Sequence, residues 1–479
     1  MPFNLEVLVI FIIYGLIMVG IGIAGFRQVS TSGDYIIGSR SLGTFAAALS
    51  AEASDMSAWL FMGLPGAIYI AGSGKAWIAL GLIIGTILNW SLIAKRIKKA
   101  SYDAGDSVTI PGFFSNATKS NSKAASNALR VLTSIVIIIY FTIYTASGFV
   151  AGGKFFSYTF GFSYILSLCI TAAIVIIYTF LGGFLSIAWN SVIQGSLMLF
   201  SVLIVPLSAF IILGGASGAF AAAPIAPDSN NMILEIISSL SWALGYFGMP
   251  HILIKYMAVK DGVKTSKPAA LAISWCAISL GCAVLIGSVG RSFVGASTLN
   301  SVDAEKLFSI MIERVFIANQ NMVLTAIGGL FLCAVLSAIM STSASQLLMS
   351  SSSVSVDIYG AVIHGKLSDG AKLKISRAVV IAIALFGFII ALNPNNSVMD
   401  LVSSAWAGFG ATFGPLVLLI LFWKKVTAQG AILGMLTGAA VVFSWPLIPV
   451  LSALYSLLPA FILSTLVNFF ASKQTSKSY

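Results

Sequence analysis

The sequence predicts an all-α membrane protein of about thirteen transmembrane helices. Three observations carry that reading. Of 479 residues, 58% are hydrophobic and only 9% are charged, whereas a soluble chain carries about 25% charged residues. The mean hydropathy is +1.00. The apolar residues come in long unbroken runs and not in period-two alternation, which excludes a transmembrane β-barrel. The high apolar content excludes a disordered chain, and four cysteines in 479 residues exclude a disulfide scaffold.

A helical span needs about 20 mainly apolar residues. Thirteen stretches qualify: 5–26, 43–71, 75–95, 126–155, 162–182, 190–214, 232–258, 269–293, 321–352, 374–392, 399–424, 428–446 and 449–471. Residues 96–125 read as a loop with amphipathic pieces, and 303–316 as a short amphipathic helix in another loop. The first run has no basic flank, carries Glu6 and exceeds a signal core, so it is expected to be retained. Gly182 and Gly183 read as a turn or a close helix approach. Cys169, Cys276, Cys282 and Cys333 fall in apolar runs without ligand spacing and read as small buried hydrophobes. His251 and His364 have no acidic or cysteine neighbours and make no metal site. The chain has no Walker motif, which argues against ATP-driven transport.

Basic residues give the orientation. Of 26 Lys and Arg, 21 follow odd-numbered spans, and only Lys75, Lys154, Arg291, Lys306 and Arg314 follow even-numbered ones. The positive-inside rule then places the C-terminus in the cytoplasm and the N-terminus outside. The pI of 9.4 has this origin and does not point to nucleic acid.

Nearly all of the fifteen acidic residues lie in loops or at span ends; Glu52 and Asp55 sit in the middle of the second span, in S-A-E-A-S-D-M-S-A-W (50–59). An acid at bilayer depth faces a cavity or a cation, or serves as a buried hydrogen-bond anchor. Ser50, Ser54 and Ser57, followed by Gly63, Pro65 and Gly66, predict that this helix breaks. A broken span exposes carbonyls that, with hydroxyls, form an oxygen cage for a hard monovalent cation. The seventh span repeats the theme in S-W-A-L-G-Y-F-G-M-P-H (241–251), weakened at Gly245, Gly248 and Pro250. Helical spacing puts Trp242, Tyr246 and Pro250 on one face, which would close over a small organic solute or else form a packing seam. The ninth span carries Ser337, Ser341, Thr342, Ser343, Ser345 and Ser350 to Ser353, with Ala338, Thr342 and Ser345 on one face. These hydroxyls are either packing glue or cation ligands.

Two interrupted spans five positions apart fit an inverted repeat. The expected organisation is a single transporter domain, 1–479, with a peripheral first helix and loop (1–42). A first repeat (43–214) and a second (232–424) follow, then two peripheral helices (428–471) and a cytoplasmic tail (472–479).

At these residues the sequence resembles the sodium/solute symporter family, and within it the sodium/proline symporters. The resemblance runs through D-Y-I-I-G-S-R-S-L-G (34–43), A-S-D-M-S-A-W-L-F-M-G-L-P-G-A (53–67) and F-T-I-Y-T-A-S-G (141–148). It continues in Y-T-F-L-G-G-F-L (178–185), W-A-L-G-Y-F-G-M-P-H (242–251), A-I-M-S-T (338–342) and A-W-A-G-F-G-A-T-F-G-P (405–415). It implies ten core helices in two inverted five-helix repeats, three further helices, and a sodium ion between the second and ninth spans. The implied sodium ligands are the carbonyls of Ala53, Met56 and Ala338 and the hydroxyls of Ser341 and Thr342, with Asp55 tied to sodium-dependent binding. The implied proline pocket comprises Ser57, Trp59, Tyr144, Trp242, Tyr246 and Pro250, and Arg40 falls in a cytoplasmic gating motif.

Three departures matter. Ala58 and Glu52 stand where the proline-transporter pattern has Gly. The Ala58 methyl lies beside the implied pocket, and such a change is worth roughly 1–3 kcal/mol of discrimination. Glu52 adds an ionisable group three residues before Asp55, as a second cation ligand or a proton carrier. Trp189-Asn190-Ser191 replaces a pattern ending in an acid, which weakens a further cation site there. The expected function is sodium-coupled import of L-proline across the cell membrane by alternating access. Sodium is then the co-transported ion, lipids surround the chain, and no organic cofactor, covalent chemistry or nucleic acid is involved. The alternative is a proton- or sodium-coupled symporter of another small amino acid or carboxylate. A sensor or a channel on the same fold ranks behind both.

Overall fold

The computed structural model describes residues 4–27, 32–120, 122–222, 232–319, 321–362, 368–449 and 454–476. His364, Lys366, Lys477 and the linker 223–231 between the expected repeats lie outside the described residues, as does the start of the last predicted span. Among the described residues there are helices and turns but no strand beyond two isolated bridges, Leu42 to Val259 and Lys119 to Thr427.

Nine helices in the described residues are long and apolar enough to cross a membrane, and Met232–Phe247 with Pro250–Met257, bent by 44°, makes a tenth. The other three predicted spans fall on helices that do not meet that test: Thr44–Asp55 with Gly63–Ala71, Tyr164–Leu181, and Leu457–Thr475. The fourth predicted span is longer than its apolar run, Lys123–Phe160, because aromatic residues extend its buried face until Gly161 ends it with φ 72°. Gly182 and Gly183 separate Tyr164–Leu181 from Phe184–Ile212, as expected of a glycine pair. The polar stretch 96–125 holds two short helices, Lys95–Asp103 and Ile110–Ala117.

The segment 303–316 departs from its expected amphipathic form. It is helical, but Leu307–Ile312 is buried on every side. The polar residues that suggested amphipathicity, Asp303 and Lys306, pair with each other at 2.6 Å ahead of that buried turn.

The first span shows why polar residues recur on these helices. Tyr14 hydroxyl meets Ser337 at 2.7 Å and accepts from Gln194 at 3.2 Å. Asn190 donates to the Met18 carbonyl at 3.3 Å, and Ser186 to that of Gly22 at 3.1 Å. Such bonds replace the hydrophobic drive that lipid removes between helices. Asn190 therefore serves packing. The serine run at the end of the ninth span is similarly occupied: Ser350, Ser351, Ser352 and Ser353 bond back to carbonyls one turn earlier, at 2.8 to 2.9 Å.

One buried ion pair organises the end of the bundle that carries residues 301–306. Lys154 Nζ lies 2.6 Å from Glu305 Oε2, with both side chains buried, and also donates to the Asn396 carbonyl at 2.8 Å. Glu305 Oε1 accepts from the amide of Val398 at 2.7 Å and from Ser397 at 3.2 Å. A carboxylate thus caps the N-terminus of Val398–Leu418, where the helix dipole favours it. Removing one partner of a buried pair strands the other, at a cost of about 3–5 kcal/mol. Glu305→Ala is expected to lower the thermal unfolding midpoint of the purified protein, with partial recovery in Glu305→Met/Lys154→Met. An unchanged midpoint in Glu305→Ala would show that the pair is not structural.

Candidate functional site

The second span breaks where the serines and Asp55 stand. Helix Thr44–Asp55 ends at Met56 (φ −78°, ψ 75°), and a 3-10 turn, Ala58–Leu60, precedes Gly63–Ala71. Ser57 amide bonds to the Asp55 carbonyl at 2.9 Å in place of the Ala53 carbonyl one turn back. Ser, Asp and Asn side chains compete with the ladder in this way. The carbonyls of Ala53 and Ser54 are thereby freed in the bilayer core, where an unpaired carbonyl costs several kcal/mol.

The ninth span answers them. Ser341 donates to the Ala53 carbonyl at 2.6 Å, and Thr342 to the Ser54 carbonyl at 2.9 Å. Ser341 also lies 3.4 Å from the Ala338 carbonyl, and Ser345 meets Ser54 hydroxyl at 3.1 Å. The structure therefore brings Ala53, Ala338, Ser341 and Thr342 together at the break, with Met56 at its first non-helical residue. The Ser54 carbonyl joins them and was not singled out from the sequence.

The seventh span opens differently. Ser241–Phe247 is a 3-10 helix of seven residues, followed by Gly248, Met249 and Pro250 at the first turn of Pro250–Met257. With three residues per turn, positions four apart no longer share a face. Trp242 and Tyr246 nonetheless both rest against Trp406, with ring centroids at 6.1 and 5.0 Å. Trp242 lies against Trp59, Trp406 and Tyr455, with ring centroids at 6.3, 6.1 and 5.2 Å. Tyr246 donates to Asp55 Oδ2 at 2.6 Å. Pro250 has no N–H to offer the Tyr246 carbonyl, and the Asn89 amide takes it at 3.1 Å. Trp406 Nε1 donates to the Trp242 carbonyl at 2.8 Å.

Asp55 thus faces the seventh span, and Tyr144 reaches its carbonyl at 3.5 Å. Glu52 Oε1 accepts from Trp90 Nε1 at 3.4 Å. Ser57, Ala58, Trp59, Tyr144, Trp242, Tyr246 and Pro250 are all buried around this junction. Above it lies a cavity of about 530 Å³, lined by Gly63, Gly66, Trp242, Glu305, Asp400 and Tyr455 among others. His251 is also buried, its ring 5.6 Å from Phe141, and no cluster of metal-ligating side chains occurs among the described residues.

Arg40 occupies the opposite end. It donates to Ser101 at 3.0 Å, the Met257 carbonyl at 2.8 Å, Asp106 at 2.8 Å and the Ser107 carbonyl at 3.0 Å. Its guanidinium lies 4.0 Å from the centre of the Tyr102 ring. Gly38, Ser39 and Arg40 all have positive φ, at 60°, 47° and 53°, so the side chain is aimed by a left-handed turn. Beside it, the Leu42 amide donates to the Ala258 carbonyl at 3.1 Å and the Lys260 amide to the Leu42 carbonyl at 2.8 Å, tying the start of the second span to the end of the seventh.

Sequence reasoning missed Asn89 and Trp406. Signals existed: Asn89 is an amide within an apolar run, and Trp406 opens the glycine-rich segment of the eleventh span. Those glycines allow contact with the seventh span, since a methyl added at Gly410 would meet the Gly245 backbone.

A model of the "Sodium:solute symporter family" matches residues 35–438. The chain is 40% identical to the sodium/proline symporter of Staphylococcus aureus strain USA300 / TCH1516, across 99% of this chain and 94% of that one. The corresponding protein of strain JH9 is equally similar. Among solved structures, a Na+-coupled sialic acid symporter in a substrate-bound outward-open state superposes with a TM-score of 0.78 at 18% identity, covering 99% and 98% of the two chains. The nucleobase-cation-symport-1 transporter Mhp1 gives 0.53 at 16% identity, over 92% and 95%. These two likenesses are of fold.

A methyl at Gly245 would overlap the Trp406 indole. Gly245→Ala is expected to push Trp406 off the Trp242 carbonyl and to destabilise the protein by about 1–3 kcal/mol. Thermal unfolding and the near-ultraviolet signal of the tryptophans measure this. A variant with wild-type stability and spectrum would show that this contact does not hold the seventh span.

Proposed function

The chain belongs to the sodium:solute symporter family, and on that premise we propose that it imports L-proline together with sodium by alternating access. It is a multi-pass membrane protein and not an enzyme; sodium is its co-transported ion. The observation that carries the reading is the freed Ala53 carbonyl met by Ser341 and Thr342 across two spans.

The proposed sodium ligands are the carbonyls of Ala53, Met56 and Ala338 and the hydroxyls of Ser341 and Thr342. Asp55 acts beside them, holding the break against Tyr246. When sodium arrives, the two hydroxyls turn from donating to the carbonyls to offering lone pairs, and the carbonyls gain a cation in exchange. Proline would occupy the junction of Ser57, Ala58, Trp59, Tyr144, Trp242, Tyr246 and Pro250. Its apolar ring suits the Trp59 and Trp242 faces, and its charged ends suit the hydroxyls of Ser57 and Tyr144.

The basic residues support a cytoplasmic C-terminus and an extracellular N-terminus. On that orientation the cavity above Trp242 opens outward and the Arg40 clamp closes the cytoplasmic end. Inward movement of one charge across 100 mV releases about 2.3 kcal/mol, and reciprocity requires proline to tighten sodium as much as sodium tightens proline. A second reading, a different small amino acid or carboxylate, is favoured by the buried Ala58 methyl; competition by a panel of such solutes decides between them.

Radiolabelled proline uptake into proteoliposomes is expected to rise with external sodium. Ser341→Ala and Thr342→Val should each raise the half-saturating sodium about tenfold, the value of roughly 1.4 kcal/mol for one lost ligand. Uptake indifferent to sodium would overturn the reading. In a background without the native cysteines, Arg40→Ala should speed cytoplasmic-side maleimide labelling of Ser107→Cys. Equal labelling rates would remove Arg40 from gating.

A further inference from the structure

We propose that the chain holds a second sodium ion, apart from the cage on the ninth span, bound by Glu52, Asp55 and Asn89 between the second, third and seventh spans. This rests on the reading of the protein as a sodium-coupled carrier and deepens it.

Glu52 and Asp55 are 3% and 2% exposed. One oxygen of each is used, by Trp90 at 3.4 Å and by Tyr246 at 2.6 Å. The other oxygens, Glu52 Oε2 and Asp55 Oδ1, have no hydrogen-bond partner among the described residues. Asn89 adds a third such acceptor. Its Nδ2 donates to the Tyr246 carbonyl and the Tyr256 hydroxyl, each at 3.1 Å, and its Oδ1 has no partner. The amide is not free to turn over, because that would set its carbonyl against the Tyr246 carbonyl. Asn89 is fully buried.

These groups form one cluster. Glu52 bonds Trp90, whose ring meets that of Tyr256 at 4.4 Å; Asn89 bonds the Tyr256 hydroxyl and the Tyr246 carbonyl, and the Tyr246 hydroxyl bonds Asp55. None of those neighbours supplies positive charge. Lys255, the nearest ammonium on the seventh span, lies 4.4 Å over the Phe184 ring. Two carboxylates at bilayer depth are costly without a cation. Three buried oxygen acceptors without partners among the described residues, two of them on carboxylates, suit a hard ion that gathers oxygens. A proton would serve one carboxyl and leave the Asn89 oxygen unmet.

The placement explains Glu52, which the resemblance left as a departure. The first ion joins the break of the second span to the ninth span. The second joins the same break to the seventh, through Asp55 and the Tyr246 backbone that Asn89 holds. Each ion thus steadies the segment the other needs.

The test is a count of 22Na+ bound to the purified protein without proline. About two ions per chain are expected, with a Hill coefficient above one, since cooperativity is bounded by the number of sites. Glu52→Gln should reduce the count to about one, and Asn89→Ala should weaken one of the two sites about tenfold. Gel filtration establishes that each variant is folded. If Glu52→Gln does not fold, the wild-type count and Asn89→Ala still decide. A single ion in the wild type, or a count unmoved by both variants, overturns the proposal. One ion with sodium-driven proline uptake would sink the second seat and leave the carrier. Two ions with no effect of proline on sodium affinity would sink the carrier reading and leave the seat.

Discussion

Everything in the centre of this protein depends on one constraint: a backbone carbonyl at bilayer depth must find a partner within the chain. The second and seventh spans violate the regular ladder, and each violation is answered by a particular side chain. Ser341 and Thr342 take the carbonyls of Ala53 and Ser54. Asn89 takes the carbonyl that Pro250 cannot bond, and Trp406 takes that of Trp242. The partners come from the third, ninth and eleventh spans, so the breaks cannot form until those helices have packed. Local disorder of the ladder has become a tertiary contact, and the site is assembled by the fold as a whole.

The two ends of the bundle are held by different means. At one end Arg40 gathers four donor bonds and an aromatic face, converging on backbone from residues 107 and 257. Such a clamp is released by moving one long side chain. At the other end Glu305 and Lys154 are buried, and their bonds fix the start of Val398–Leu418 beside an open cavity. That arrangement costs too much to undo repeatedly. The asymmetry suits a molecule in which the eleventh span pivots about a fixed upper end while the lower seal forms and breaks.

Much of this was legible in the residues. The breaks could be placed because Ser, Asp, Gly and Pro at mid-span act locally, through bonds that a few neighbouring residues make or refuse. The hydroxyls of the ninth span were visible for the same reason, since polar groups in apolar runs need an explanation, whereas Arg40 was marked only by the resemblance of its motif. What was not legible came from geometry that a helical spacing rule does not cover. Trp242 and Tyr246 stand four apart in a 3-10 segment, and both rest on Trp406, a residue of another span. Trp406 and Asn89 matter through backbone carbonyls they bond, and a carbonyl has no letter in a sequence. The buried helix Leu307–Ile312 read as amphipathic because its polar flank precedes it by one turn.

The hydroxyl rotors give the coupling its physical form. Ser341 and Thr342 satisfy the freed carbonyls as donors when their protons point to Ala53 and Ser54. The same two oxygens can accept a cation's charge by rotation of a single bond each, without movement of either helix. Loading an ion at this position therefore demands almost no backbone reorganisation, and the break keeps partners in both states. A site built from side-chain carboxylates alone would be left with buried, unpaired charge whenever the ion departed. A cage of carbonyls and hydroxyls avoids that penalty, which suits the proposed sodium seat to emptying on one side of a membrane and filling on the other. Asp55 fits the same logic from the opposite face. Its bond to Tyr246 ties the geometry of the break to a ring that borders the proposed solute junction. A displacement of Tyr246 by a bound solute is then felt at the residue that ends the helix, only one peptide away from the carbonyls in the cage.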